Sequence, residues 1–154
     1  MRRAKRTLVV ALLAVAAVAA FLLLRKPPSD KELIERLILR LEEGIEKKQF
    51  PRIMACIGKE YADESGLTRR DLMRLAFRYV RDRGWADVLL SDVKIDVQDR
   101  AAVANMYAEV TYTGEDMESK PFSGEVTVFF RKRGSRWFIV KSEGWQSTVG
   151  TPLD

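Results

Sequence analysis

The chain has 154 residues, with 27 Lys+Arg against 22 Asp+Glu, one cysteine and no histidine. That composition excludes an internal disulfide, His-containing metal sites and the Ser/His or Cys/His nucleophile pairs. Six of the bases flank the first apolar run, leaving 21 bases and 22 acids in the remainder, so the folded part lacks the concentrated positive charge of a nucleic-acid binder.

Thr7 to Leu24 is an unbroken apolar run, preceded by Arg2, Arg3, Lys5 and Arg6 and followed by Arg25 and Lys26. A helix of about 18 residues rises roughly 27 Å, close to the hydrocarbon thickness of a bilayer. The excess of bases before the run predicts a cytoplasmic N-terminus. Ala14-Val15-Ala16 and Ala17-Val18-Ala19 match a cleavable signal peptide, but Phe21-Leu22-Leu23-Leu24 carries the apolar run past both sites and favours an uncleaved anchor. The expected organisation is a signal-anchor transmembrane segment over 1–26, one domain over 27–147 and a C-terminal tail over 148–154. The expected location is the cytoplasmic membrane, single-pass, with the domain extracytoplasmic, periplasmic in a Gram-negative cell.

Pro27-Pro28 ends the run. Ser29-Asp30-Lys31-Glu32 is a capping box, and Leu33, Ile34, Leu37, Ile38, Leu41 and Ile45 recur at helical spacing behind it. Pro51 suits the first turn of a second, short helix through about Ile57, which contains Cys56 in an apolar setting. Thr68-Arg69-Arg70-Asp71 opens a third helix that Gly84 ends. Arg70, Arg74, Arg78 and Arg81 lie near one stripe of it, either a solvated face or a contact for anionic headgroups or an acidic partner. The period then changes to two. Strands are predicted over 93–98, 102–112, 122–132 and 136–142, with a hairpin turn at Arg133-Gly134-Ser135.

Taking that turn as a three-residue hairpin centre sets Phe130 opposite Phe138 and Val128 opposite Val140. One sheet face then carries Ala102, Ala104, Met106, Ala108, Val110, Tyr112, Val126, Val128, Phe130, Phe138 and Val140, and it is assigned to the concave side against the helices. The other face mixes Tyr107, Phe129, Trp137 and Ile139 with Glu109, Glu125, Arg131 and Lys141.

The order of these segments resembles the nuclear transport factor 2-like superfamily, the cone-shaped fold shared with steroid-isomerase-like and SnoaL-like proteins. The likeness is carried by the long first helix, Tyr61-Ala62-Asp63-Glu64-Ser65-Gly66-Leu67-Thr68 before the third helix, and the Asp99-Arg100-Ala101-Ala102-Val103 turn. It closes on Phe129-Phe130-Arg131-Lys132-Arg133-Gly134-Ser135-Arg136-Trp137-Phe138-Ile139-Val140. It covers about 30–147 and implies an α+β fold, a strongly bent antiparallel sheet of about four strands wrapped on three N-terminal helices. Isomerase and dehydratase members of the superfamily place a carboxylate, Tyr or His inside the cone.

Within the predicted concave face Tyr112 is the only titratable side chain, and a lone Tyr without a carboxylate partner makes weak acid–base chemistry. No metal-ligand set, phosphate loop or other cofactor motif is present. The Tyr61, Asp63, Glu64 and Gly66 group reads as a turn before the Thr68 cap rather than as a cation loop. The small residues either let the helix pack closely or leave an apolar pocket, whose candidates are Leu37, Leu41, Ala104, Met106, Ala108, Tyr112, Val128 and Phe130. Interface candidates on the outer face are Tyr107, Glu109, Phe129, Arg131, Trp137 and Ile139, for a protein partner or a homodimer. The leading expectation is therefore a membrane-tethered, non-catalytic binding or scaffold module of the bacterial envelope, with no cofactor and no nucleic acid. The alternatives are a small isomerase- or dehydratase-like enzyme, needing a carboxylate such as Asp63, Asp87 or Glu109 in the cone, and a carrier of an apolar small molecule.

Overall fold

The computed structural model describes residues 27–115 and 119–145, together with Ala14. The expected anchor over 1–26 and the expected tail over 148–154 fall, apart from Ala14, outside the described residues. Among the described residues no helix is long and apolar enough to cross a membrane.

Among the described residues three helices precede four strands. They are α1 (Asp30–Glu46), α2 (Phe50–Cys56), α3 (Arg69–Arg81), β1 (Trp85–Gln98), β2 (Ala101–Thr113), β3 (Ser119–Arg133) and β4 (Arg136–Glu143). The strands form one antiparallel sheet in the order β1-β2-β3-β4. The α+β class and the helix-then-sheet order are as the periodicity predicts.

Ser29 caps α1 reciprocally. Its hydroxyl accepts from the Glu32 N–H at 3.3 Å, and the Glu32 carboxylate accepts from the Ser29 N–H at 2.6 Å. The helix then buries Ile34, Leu37 and Ile38, each worth about 1.5–3 kcal/mol in removed apolar surface. α1 touches both edge strands, β1 and β4. A helix roughly 10–12 Å across can reach both edges of a four-stranded sheet only if the sheet curls round it. Two irregularities supply curvature. In β1 the register steps between Ser91 and Lys94, where Asp92 takes φ 52°, and in β4 it steps opposite Phe129 and Phe130.

The concave face of β2 and β3 has the predicted set. Ala102, Ala104, Met106, Ala108, Val126, Val128 and Phe130 are buried in one core cluster with α1, α2 and Tyr61. Ala104 and Ala108 are both 0% exposed, and the missing side-chain bulk there makes room for α1.

β4 corrects the sequence reading. The connection is a two-residue turn, Gly134-Ser135, with Arg133 paired to Arg136 and Gly134 at φ 58°. Phe130 consequently pairs with Ile139, and Phe138 pairs with Arg131. One residue of register turns a strand over. Trp137 and Ile139, expected on the outer face as interface candidates, are each 4% exposed within the core, while Phe138 and Val140 are only half-buried. The step opposite Phe129 then restores the phase, so that Ser142 points inward beside Val128. β1 is also longer than predicted. It begins at Trp85 rather than Val93, and Ala86 and Val88 are buried.

Candidate functional site

Six of the eight pocket candidates lie inside the packed core: Leu37, Ala104, Met106, Ala108, Val128 and Phe130. They hold α1 and α2 to the sheet. Leu41 and Tyr112 are half-buried, and Tyr112 sits at the end of the concave face that α1 does not fill. The remaining outer-face candidates divide into half-buried Tyr107 and Phe129 and exposed Glu109 and Arg131.

The chemistry gathers around Tyr112. Its hydroxyl donates to the carboxylate of Asp82, in the connection between α3 and β1. Tyr79, in the last turn of α3, meets Tyr112 edge-on with ring centroids 6.3 Å apart. The Tyr79 hydroxyl donates to the Ile45 carbonyl at 2.9 Å and accepts from the Ala86 N–H at 3.1 Å, which ties α1, α3 and β1 together at this point. Lys48, just past α1, donates to the Asp82 carbonyl at 2.5 Å and lies 5.1 Å from the centroid of the Tyr79 ring. Half-buried Val110 and Phe122 pair across β2 and β3 next to Tyr112 on the concave face, and the Trp145 ring is 5.3 Å from that of Phe122. Two phenols, a carboxylate and an ammonium thus gather beside the half-buried apolar pair Val110 and Phe122.

The hydrogen bond from Tyr112 holds the Asp82 carboxyl below its ordinary value, and the N–H groups of Gly84 and Arg83 and the Lys48 charge act in the same direction. Asp82 is therefore a carboxylate at neutral pH. Burial, by contrast, pushes the Tyr79 phenol up, so it stays protonated.

Gly84 makes the arrangement sterically possible. A Cβ there would stand 2.5 Å from the Tyr112 hydroxyl oxygen and 2.6 Å from the Thr113 carbonyl. Gly84→Ala is expected to displace Tyr112 and cost about 1–3 kcal/mol through overpacking. A urea midpoint equal to that of the wild type would show that the ring moves aside freely.

The carboxylates named from sequence for this role are placed differently, although the charge of Asp87 is felt at the Tyr79 phenol. Asp63 closes its own turn, accepting from the Ser65 N–H at 2.9 Å and the Leu67 N–H at 2.8 Å. Asp87 and Glu109 are exposed and alternate with the buried residues of their strands. Glu64 accepts from the Gly144 N–H at 3.0 Å. Asp82, the carboxylate that does meet Tyr112, is 30 residues away in the chain. The sequence marks it only as the polar end of a helix before a glycine. A second polar pair, Tyr61 with Ser142 at 2.6 Å, is buried in the core, and burial raises the Tyr61 phenol. Cys56 is likewise buried and its thiol is pushed up by that burial, which leaves it unreactive. Among the described residues no three His, Cys, Asp or Glu side chains gather to hold a metal ion.

No family model and no curated sequence matches the chain. Solved structures do match in fold. A protein from Novosphingobium aromaticivorans named as a candidate scytalone dehydratase superimposes with a TM-score of 0.67 at 14% identity, over 74% of this chain and 81% of its own. A candidate aromatic ring hydroxylase from the same organism gives 0.66 at 12% identity, over 77% and 89%. A candidate dehydratase of the nuclear transport factor 2-like family from Streptomyces avermitilis gives 0.59 at 15% identity, over 76% and 96%. At these identities the likeness shows the fold, the cone of the nuclear transport factor 2-like and SnoaL-like proteins. The expectation of a non-catalytic binding or scaffold module is overturned by these neighbours, which are named for enzymes.

Proposed function

We propose that this chain is a small lyase- or isomerase-type enzyme that moves a proton beside a carbonyl group of an apolar substrate, with Asp82 as base and Tyr112 as acid. The observation that carries this reading is the Tyr112–Asp82 hydrogen bond beside the half-buried apolar residues Val110 and Phe122. A substrate carbonyl that takes over the Tyr112 proton frees the Asp82 carboxylate to accept the proton on the neighbouring carbon. The developing enolate oxygen is then held by the phenol. In an isomerisation Asp82 returns the proton to another carbon of the same molecule. In a dehydration the β C–O bond breaks, and the departing hydroxide takes the proton from Asp82 and leaves as water. Val110, Phe122 and Trp145 supply an apolar wall for a ring-bearing substrate. The names of the fold neighbours support the same reaction class. The apolar run over 7–24 supports a membrane-held enzyme with this domain outside the cytoplasm.

The test is a panel of cyclic β-hydroxy ketones and β,γ-unsaturated ketones, followed by the ultraviolet absorbance of the conjugated enone. Turnover by the wild type that is lost in Asp82→Asn is expected. Turnover that survives this substitution unchanged would remove Asp82 from the chemistry and sink the assignment.

A further inference from the structure

The bases of the domain are unevenly placed. α3 carries five arginines and one aspartate, whereas the rest of residues 27–154 holds 16 bases against 21 acids. The single acid of α3 is already engaged: the Asp71 carboxylate accepts from the Thr68 N–H at 2.9 Å and the Thr68 hydroxyl at 2.6 Å, and pairs with Arg74. α3 is also the most peripheral part of the described fold, with no buried residue. At about 100° per residue, Met73, Phe77, Arg70, Arg81, Arg74 and Arg78 follow one another round its outer side. All four of those arginines are exposed, as are Met73 (39%) and Phe77 (51%). The N-terminal half of the helix borders an open groove of about 580 Å³ whose bases are Lys59, Arg69, Arg70 and Arg74. The carboxylates on its rim are Asp71, held as above, and Glu60, paired to Arg133 at 2.8 Å.

We infer that the outer side of α3 docks on an anionic lipid surface. Arginines edged by exposed Met and Phe form the profile of a helix that lies in a membrane interface, the bases among the headgroups and the apolar pair among the first acyl carbons. Phe77 meets the Phe50 ring of α2 edge-on at 6.0 Å and lies 5.3 Å from the Arg81 guanidinium, yet half of it stays exposed with Met73, an edge to which an acidic protein gives no role. As the expected membrane anchor, the chain's own apolar run, Thr7 to Leu24, supplies a bilayer at short range, since the five residues Arg25 to Ser29 separate it from α1. The groove then receives a phosphate-type headgroup. Docking uses none of the residues given a part in the reaction proposed above, and the groove lies at the other end of the helix from Tyr79 and Asp82.

The experiment uses the full chain, reconstituted in vesicles of phosphatidylcholine alone or with phosphatidylglycerol. An environment-sensitive fluorophore is placed on Phe77→Cys; Cys56, 1% exposed, is shielded from labelling. Docking predicts a blue shift and loss of quenching by iodide only with phosphatidylglycerol, reversed at about 1 M salt, where the screening length is about 3 Å. Arg70→Gln with Arg78→Gln is expected to shift the docked-to-free ratio roughly 25-fold, about fivefold per arginine, with an unchanged near-ultraviolet dichroism spectrum. Equal quenching in both vesicles would overturn the inference. So would a blue shift in phosphatidylcholine vesicles on adding inorganic phosphate or polyglutamate, which would assign the groove to a free anion or the face to an acidic protein.

Discussion

Trp137→Ala is expected to destabilise the domain by about 3–5 kcal/mol, and Phe138→Ala by only about 1 kcal/mol. Two neighbouring aromatic residues on one strand differ because they face opposite sides of the sheet. Trp137 is 4% exposed, and its indole N–H donates to Asp30 at 3.0 Å. Asp30 also pairs with Lys132 at 2.6 Å, and the hydrogen bonds from Lys132 and Trp137 lower its carboxyl. Truncating Trp137 therefore leaves a core void and also removes one of the two ties, the other being Lys132, that hold the first turn of α1 to the β3–β4 hairpin. Phe138 is half-buried and shares its ring with the Arg136 guanidinium, 5.3 Å from its centroid. For a domain whose total stability is of the order of 5–15 kcal/mol, the first change removes a large fraction and the second does not. Denaturant midpoints of the two variants measure this. A larger loss for Phe138→Ala than for Trp137→Ala would return β4 to the three-residue-turn register.

Asp82→Asn is expected to lower the proposed reaction about 10²–10⁴-fold, the usual contribution of a positioned general base, with the denaturation midpoint little changed because Asp82 is exposed. The pH dependence separates this role from a structural one. A base works when ionised, so the rate falls on the acid side as Asp82 takes up a proton. Its carboxyl lies below the ordinary aspartate range, chiefly through the Tyr112 hydrogen bond, so the acid limb lies below that of a free aspartate. Tyr112→Phe removes the leading cause and is expected to move the limb upward while also lowering the plateau. The linkage to stability has the same sign: a lowered carboxyl stabilises the fold above its unfolded value and loses that contribution as pH falls through the folded one. A rate profile of Tyr112→Phe with an unmoved acid limb would mean that Asp82 does not set it.

Local patterns explain what could be read in advance. The Ser29–Glu32 cap and the α1 stripe depend on contacts three and four residues apart. The concave set of β2 and β3 follows from side chains alternating along each strand. The Trp85–Ser91 half of β1 had the same alternation in Ala86, Val88 and Leu90, but its position directly after a helix and Gly84 concealed it. The hairpin is legible at Arg133-Gly134-Ser135, but a three-residue turn in place of the two-residue one reverses Trp137, Phe138, Ile139 and Val140 together.

The sequence by itself determined the α+β order, the charge segregation onto α3, the apolar run over 7–24 and the exclusion of histidine chemistry. These are properties of composition and of neighbours within one or two turns. Only the tertiary structure decided which face of β4 is inside and which carboxylate meets Tyr112. The first depends on a single residue in a turn, and the second on a chain reversal that brings the end of α3 against β2, and neither leaves a periodic trace along the chain.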